Sequence, residues 1–361
     1  MSTIAYYITA HGFGHGVRSC DILRAVHQRC PATRVIIVTD LPKAFLENRL
    51  PGIPCEIRRG VFDTGLVQRD SVRADVEASL SCALELLGRR DELLRRECDF
   101  IRERDVGLVV ADIPAIPLEA AAREGIPGVA VGNFSWNWIY AEFVARDPRW
   151  QEVVASFEQG YACADLLLRL PFAEEMTAFP RHMDLPVVAE PGTARRDELA
   201  ALTGAPPDRR WVLLSFSTLD WDAAALDRVA QLDDYVFFTV LPLAWDRPTI
   251  FSVDPGKMAY ADILASVDAV VTKPGFGVLS ECVVNRKPMV YVERTDFREY
   301  AVLEKAVQRY LRHQHIPAQR LYLGDLGDAL DTLWLQPEPR DVPPVGGGRL
   351  AAEQLLARIG T

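Results

Sequence analysis

Short runs of apolar residues alternate along the chain with longer segments in which apolar residues recur at helical spacing. This alternation is typical of parallel β–α units, whose strands are buried on both faces. It predicts strands at residues 4–9, 35–39, 108–111, 129–131, 166–170, 211–215, 235–240, 269–272 and 289–292. Helices are predicted between them, the longest over residues 72–104, where leucines recur among many charged residues.

A change in composition predicts where the chain divides. Residues 186–210 are rich in Pro, Gly, Ala and charge, and the 361-residue chain exceeds one ordinary core. We therefore predict an α/β fold with two doubly wound, Rossmann-like domains, residues 1–185 and 186–345. Residues 346–361 are predicted to form a C-terminal helix that packs back on the first domain. Ligands bind at the carboxyl ends of parallel strands, so we expect a site in the cleft between the domains.

Composition excludes several classes of protein. Apolar residues at 49% and charged residues at 25% are typical of a globular protein, and a net charge of −10 argues against nucleic-acid binding. Seven scattered cysteines, none in a C-x-x-C pair, predict neither disulfides nor zinc. Without a signal-peptide pattern or a run of 18 apolar residues, the sequence predicts a cytoplasmic protein with no transmembrane segment. It leaves the oligomeric state open.

A glycine- and histidine-rich loop follows the first predicted strand, with the sequence His11-Gly12-Phe13-Gly14-His15. Its glycines allow a tight turn and close approach of a ligand, and the next helix adds positive potential. It is not a dinucleotide fingerprint, because Val17 occupies the place of the third glycine. A histidine there can take a proton from a hydroxyl near neutral pH, which makes His15 the predicted general base, while His11 is expected to pack locally.

Polar residues also follow two further strands of the first half. Asp112 can orient His15 as a triad acid does, or can cap the helix that follows it, and both interpretations stay open here. Asn133, Ser135 and Trp136 can line an acceptor pocket or serve as core and turn residues.

A second glycine-containing turn follows the strand that ends at Thr272. Amides at the start of its helix can receive a pyrophosphate, and Glu281, one turn inside, can accept bonds from both ribose hydroxyls. The alternative is a tight structural turn with an acid near the helix N-terminus. The turn and the start of its helix contain Lys273, Gly275, Phe276, Gly277, Ser280 and Glu281, and the glycines remove side chains that would block a ligand.

This turn resembles the donor-binding signature of GT-B glycosyltransferases, especially the MurG and diacylglycerol glycosyltransferase types. Over nearly its whole length the chain also resembles the glycosyltransferase-like N-terminal region of plant L-arabinokinases, without their kinase half. The resemblance rests on residues 6–15, Asp63-Thr64-Gly65, residues 133–136 with Ile139-Tyr140, and Gly275-Phe276-Gly277 with Ser280-Glu281.

The resemblance implies a GT-B enzyme that moves a sugar from a nucleotide-diphosphate donor, a UDP-sugar, to an acceptor hydroxyl with inversion. Residues 1–185 would form the acceptor side and residues 186–345 the donor side. No cofactor or metal is implied, the two partners are the nucleotide sugar and an acceptor of unknown identity, and Arg18 or Lys273 would add charge to the phosphates. Residues 296–299 stand where the family contacts the donor sugar, so Phe297 and Glu299 are predicted there; a surface acid is the alternative for Glu299.

One departure from the family leaves other functions open. Relatives carry Gly-Gly after the first C-terminal strand, where this chain has Ser215-Phe216-Ser217-Thr218, so Ser215 and Ser217 hydroxyls would replace amide contacts to phosphate. A non-catalytic nucleotide-sugar-binding or regulatory module is therefore an alternative, and an epimerase is less supported because no carboxylate set stands out. Asp220-Trp221-Asp222 matches the D-x-D pattern of metal-dependent transferases, but its place before a helix predicts capping.

Overall fold

The computed structural model describes residues 3–68, 74–295 and 297–359. Its chain divides into two compact units. The first comprises Met1–Val67, Asp75–Ala189 and Pro344–Thr361, and the second Gln68–Ala74 and Glu190–Pro343. The boundaries lie at 189/190 and 343/344, where the sequence predicts 185/186 and 345/346.

The first unit is built on a parallel seven-stranded sheet with the strand order β3-β2-β1-β4-β5-β6-β7. Its central strands are lined with buried Val, Ile and Leu because helices cover both faces. The strands are β1 Thr3–Ile8, β2 Arg34–Val38, β3 Glu56–Arg58, β4 Val106–Asp112, β5 Gly128–Gly132, β6 Leu166–Arg169 and β7 His182–Asp184. The helices are α1 Phe13–Arg29, α2 Lys43–Arg49, α3 Val76–Gly88, α4 Arg90–Glu103, α5 Ile116–Arg123, α6 Trp136–Ala141 and α7 Trp150–Tyr161.

The prediction of one long helix over residues 72–104 is wrong in one respect. The segment forms two helices, α3 and α4, separated at Arg89, while residues 72 and 73 lie outside the described residues. Asp75 caps α3 by accepting a bond from the Ala78 amide at 3.1 Å. The break allows each helix to bury its own apolar stripe.

The second unit repeats the architecture with a parallel six-stranded sheet, in the strand order β10-β9-β8-β11-β12-β13. Both sheets confirm the predicted α/β fold with two doubly wound halves. The strands are β8 Arg210–Ser215, β9 Tyr235–Val240, β10 Ile250–Val253, β11 Ala269–Thr272, β12 Met289–Val292 and β13 His313–Ile316. The helices are α8 Arg196–Thr203, α9 Ala223–Ala230, α10 Tyr260–Ser266, α11 Phe276–Val284, α12 Tyr300–Tyr310, α13 Ala318–Tyr322 and α14 Gly327–Leu335.

The last helix, α15 (Gly347–Leu356), belongs to the first unit. Its buried residues Ala351, Ala352 and Leu355 join the core that α1 and the first sheet form. A Cβ added at Gly347 would lie 2.1 Å from the carbonyl oxygen of Pro186, so only glycine fits this approach of the two segments. Across the described residues, no helix combines the length and apolarity needed to cross a membrane.

Candidate active site

The first candidate site forms where α1 begins beside the carboxyl end of β4. Gly12, in extended conformation, precedes the helix, and Gly14 is its second residue. His15, Arg18 and Ser19 are three and four residues apart, so they share one face of α1. The strands β1 and β4 pair in parallel with Ile8 opposite Asp112, which brings that carboxylate to the same edge as the loop after β1.

Asp112 is fully buried and accepts hydrogen bonds on both of its oxygens. Its Oδ1 lies 2.8 Å from His15 Nδ1 and 2.5 Å from Arg18 Nη2. Its Oδ2 accepts from Arg18 Nε at 2.6 Å and from Ser19 Oγ at 3.0 Å. The helix α5 begins after Ala115, so the interpretation of Asp112 as its cap is wrong and the His15 contact is the one that forms.

The charges of this cluster determine its protonation. Burial raises the pKa of Asp112, but the guanidinium of Arg18 and the contact with His15 outweigh it and bring the pKa to about 2. Burial, followed by the positive charge of Arg18, lowers the pKa of His15, and Asp112 opposes this only in part. At neutral pH the cluster therefore holds an ionised carboxylate next to a neutral imidazole, which is the form of histidine that can accept a proton.

Arg18 is committed to this cluster, because its remaining nitrogen Nη1 donates to Asn133 Oδ1 at 2.5 Å. Asn133 in turn donates to the Pro171 carbonyl, also at 2.5 Å. Ser135 Oγ donates to Glu174 Oε1 at 2.7 Å. The structure thus places Asn133 and Ser135 in the interior of the first unit as members of hydrogen-bonded networks that hold the turn after β5.

A buried carboxylate that motif analysis assigned no role, Asp63, connects three segments. It accepts from Thr9 Oγ1 at 2.5 Å and from Trp136 Nε1 at 3.0 Å. Burial raises the pKa of Asp63 to about 6, while both hydrogen bonds lower it and the Asp112 charge raises it. Trp136, itself buried, also packs edge to face against His11 with ring centroids 5.3 Å apart. His11 therefore packs locally against Trp136, as the sequence predicts.

The loop carrying Asp63 approaches His11 so closely that it needs a glycine. Gly65 has φ of 62°, and a Cβ there would lie 2.0 Å from His11 Nδ1. The carbonyl of Gly65 accepts from Tyr140 Oη at 3.1 Å. Three of the segments that resemble the plant L-arabinokinases are therefore neighbours in space: the His/Gly loop, Asp63-Thr64-Gly65 and the Trp136–Tyr140 segment.

The second candidate site is the turn between β11 and α11 in the second unit. Gly275 precedes the helix in extended conformation (φ −152°, ψ 150°), which any residue can adopt, and no described side chain caps α11. A Cβ at Gly275 would meet only Val278 Cγ1, at 3.9 Å. Neither conformation nor packing therefore requires glycine here. The glycine leaves open space at the residue that precedes α11, whose first amides lack intrahelical acceptors.

Glu281 lies one turn inside α11 and is buried, whereas Ser280 is half-buried. Burial and then the charge of Glu281 raise the pKa of Tyr260, a residue of α10 that sequence analysis assigned no role in the site. Tyr260 Oη and Ser215 Oγ are hydrogen-bonded at 2.6 Å. Thr272 Oγ1 donates to the Ser215 carbonyl at 2.7 Å, so the ends of β8 and β11 are tied beside the turn.

The segment after β8 has one side chain in the core of the second unit and another at its surface. Phe216 is buried in the core of the second unit with Leu219 and Trp221, whereas Ser217 is exposed. The bulk of Phe216 therefore lies inside the unit. Asp222 caps α9 by accepting from the Ala225 amide at 2.8 Å, which confirms capping as its role. Within the described residues, no group of three potential metal ligands occurs.

The segment that follows β12 contains Phe297 and Glu299, and Asp296 between them and β12 lies outside the described residues. Phe297 is buried beneath the guanidinium of Arg294, 3.2 Å from its ring centre. Glu299 Oε1 lies 3.7 Å from Arg294 Nη1. Burial lowers the pKa of Arg294 to about 10, and Glu299 opposes the shift. Sequence analysis missed Arg294, since nothing in its local pattern distinguishes it from a surface arginine.

Comparison with known proteins identifies the fold. No protein-family model matches the chain. The L-arabinokinase of Arabidopsis thaliana is 29% identical over 367 residues, which cover 97% of this chain and 34% of that protein. The chain thus spans about a third of the length of this relative.

Solved glycosyltransferases match the chain over almost its full length. The glycosyltransferase of kitacinnamycin matches with a TM-score of 0.68 and 16% identity, covering 99% of both chains. UGT89C1 of Arabidopsis thaliana, complexed with UDP-L-rhamnose, matches with a TM-score of 0.60 and 12% identity, also over 99% of both chains. The calicheamicin glycosyltransferase CalG4 matches with a TM-score of 0.59 and 15% identity, covering 99% of this chain and 94% of its own. The chain therefore has the GT-B fold of these glycosyltransferases, as predicted.

Proposed function

We propose that the chain is a glycosyltransferase that moves a sugar from a uridine-diphosphate donor to an acceptor hydroxyl with inversion at the anomeric carbon. The observation that carries the proposal is the open turn at Gly275, the residue that precedes α11, where a side chain would meet only Val278 although the fold does not require glycine. A diphosphate fits such a helix start because the amides and the helix dipole favour negative charge.

The donor side of the proposal uses residues of the second unit. The diphosphate would bind at Gly275 and Gly277, with Lys273 contributing positive charge. Glu281 would accept bonds from the ribose hydroxyls, and Ser215 and Ser217 would support the phosphates. Glu299 and Phe297 would contact the sugar. UGT89C1 complexed with UDP-L-rhamnose and UGT2 of Phytolacca americana complexed with UDP-2fluoro-glucose support a nucleotide-sugar donor for this fold.

The acceptor side uses the cluster at the start of α1. The acceptor oxygen would attack the anomeric carbon as its bond to the diphosphate breaks. His15 would take the hydroxyl proton on Nε2, and Asp112 at 2.8 Å from Nδ1 would stabilise the imidazolium that forms. The amides of α11 and Lys273 would stabilise the charge that builds on the leaving diphosphate.

Replacement of His15 by Ala tests the assignment of the base. Transfer should fall by a factor of about 10²–10⁴, the usual contribution of a general base. Affinity for UDP, measured by calorimetry, should stay within about twofold, because the nucleotide binds in the other unit. An equal loss of UDP affinity and transfer would contradict the assignment. His27→Ala, at the far end of α1, is the matched control and should retain both.

A nucleotide-sugar-binding module without turnover remains the second candidate, because Ser215–Thr218 replaces the Gly-Gly turn of relatives. The distinguishing measurement is diphosphate release from a panel of UDP- and TDP-sugars with hydroxyl acceptors. Saturable binding with no release across the panel would favour the module. Release that depends on both donor and acceptor would favour the transferase, and sugar isomers formed without an acceptor would indicate an epimerase.

A further inference from the structure

The guanidinium of Arg18 and the carboxylate of Asp112 both contact the same nitrogen of His15, and the two contacts favour opposite tautomers. His15 Nδ1 is 2.8 Å from Asp112 Oδ1 and also 2.8 Å from Arg18 Nη2. In a neutral imidazole Nδ1 either donates or accepts, so only one of these contacts can be a hydrogen bond. Donation to Asp112 leaves Nε2 unprotonated, whereas acceptance from Arg18 places the proton on Nε2.

The surroundings of Asp112 favour donation. A carboxylate has about four lone-pair sites. The two-point contact with Arg18 and the bond from Ser19 fill three of them, and His15 Nδ1 lies at Oδ1 beside the fourth. In the opposite tautomer, the lone pair of His15 Nδ1 would face a lone pair of Asp112 Oδ1 at 2.8 Å. Solvent does not reach this carboxylate. Repulsion between these lone pairs, away from solvent, disfavours that tautomer.

Arg18 also determines the charge of the imidazole. Its two bonds to Asp112 offset the negative charge that would otherwise favour an imidazolium, and its own positive charge lies against the ring. Asn133 fixes the guanidinium from the other side. Among the described residues, three further groups surround the cluster. The uncharged ring of Phe134 packs edge to face on His15, Tyr6 interacts with Asp112 and Arg18 but is kept neutral by burial, and the charges of Asp63 and Asp112 act on each other.

We propose that Arg18 is a positioning residue that keeps His15 neutral, while the Asp112 carboxylate that Arg18 holds in place accepts the proton of Nδ1, so that Nε2 is available as the base. The lowered pKa of His15 agrees with this arrangement. The catalytic consequence rests on the proposed function, whereas the tautomer and charge of His15 do not.

Nitrogen-15 NMR of histidine-labelled protein tests the inference without any substrate. The wild type should show a neutral His15 with a protonated Nδ1 at pH 7. In Arg18→Met the pKa of His15 should rise by about 1–3 units, because a positive charge in contact with the ring is removed and Asp112 loses its partner. Arg24→Met removes a guanidinium from a later turn of the same helix and should leave His15 unchanged.

A protonated Nε2 in the wild type, or an unchanged His15 pKa in folded Arg18→Met, would overturn the inference. If Arg18→Met does not fold, the tautomer of the wild type decides by itself, and Arg18→Lys, which keeps the charge, should hold the His15 pKa near the wild-type value. In a transfer assay, the acidic limb of the kcat/KM profile should shift upward with the NMR pKa. Absence of transfer with every donor would refute the proposed function and leave the NMR result standing.

Discussion

Replacement of Gly275 by Val separates ligand binding from folding at the turn before α11. The backbone at Gly275 is extended, which β-branched residues accept readily, and an added Cβ meets only Val278 Cγ1 at 3.9 Å. The loss of folding stability should therefore be limited to the poorer cap, about 1 kcal/mol or less. The methyl groups of Val, however, enter the space in front of the amides that are proposed to hold the diphosphate.

The expected loss of affinity follows from the bonds that the methyl groups displace. A hydrogen bond to a charged group contributes about 1.5–3 kcal/mol. Loss of one amide–phosphate bond therefore weakens UDP binding by about 10- to 150-fold. Gly275→Ala, with one methyl group, should show a smaller loss in the same direction.

Calorimetry with UDP, together with thermal unfolding in its presence and absence, measures both effects, since a ligand raises the unfolding temperature by mass action. Gly88→Ala is the control, because an added Cβ there meets nothing within 4 Å and the residue lies in the first unit. Unchanged UDP affinity in folded Gly275→Val would refute the location of the diphosphate. The same result would refute the donor side of the proposed function.

Two predictions concern folding rather than binding. Gly347→Ala should lower the free energy of unfolding by about 1–3 kcal/mol in urea titrations, because its Cβ would lie 2.1 Å from the Pro186 carbonyl oxygen, and a stable variant would contradict the tight contact. The folded pKa of Asp63, about 6, is above the ordinary value, so the folded state binds more protons than the unfolded state between about pH 4 and 6. The contribution of Asp63 to the free energy of unfolding should therefore fall by about 2–3 kcal/mol as the pH rises through this window. The measurement compares the wild type with Asp63→Asn, and an equal dependence of the unfolding free energy on pH in the two proteins would contradict the prediction.

The parts of the fold that sequence predicts best are those with the simplest environment. Central strands such as β4 and β8 are buried on both faces, so they appear as continuous apolar runs. The sequence analysis missed β3, β7, β10 and β13. Three of these segments, Glu56–Arg58, His182–Asp184 and His313–Ile316, are short and polar, and Ile250–Val253 has only four residues. Such segments become strands by pairing with a neighbour, which is a tertiary effect.

In the candidate site, too, local features could be predicted from the sequence and tertiary contacts could not. Its residues were located in sequence because chemistry at strand ends and glycine turns has local signatures. The contacts were not predictable, since His15 and Asp112 are 97 positions apart and Arg18 and Asn133 are 115 apart. Either Arg18 or Lys273 was expected to add charge to the phosphates. The guanidinium of Arg18 is engaged within the first unit, where helical spacing and the register of β1 with β4 place it beside Asp112.

The cluster at the start of α1 is difficult to explain by stability. Removing a carboxylate and a guanidinium from water is costly, and buried ion pairs are often no more stable than well-packed apolar residues of similar volume. In this chain Asp112 is fully buried, yet its surroundings keep it ionised and leave the adjacent His15 neutral. A base needs a neutral imidazole with one nitrogen fixed by a charge and the other available for a proton. The proposed role of His15 as a base would account for that arrangement, whereas packing alone would be served equally well by an apolar core.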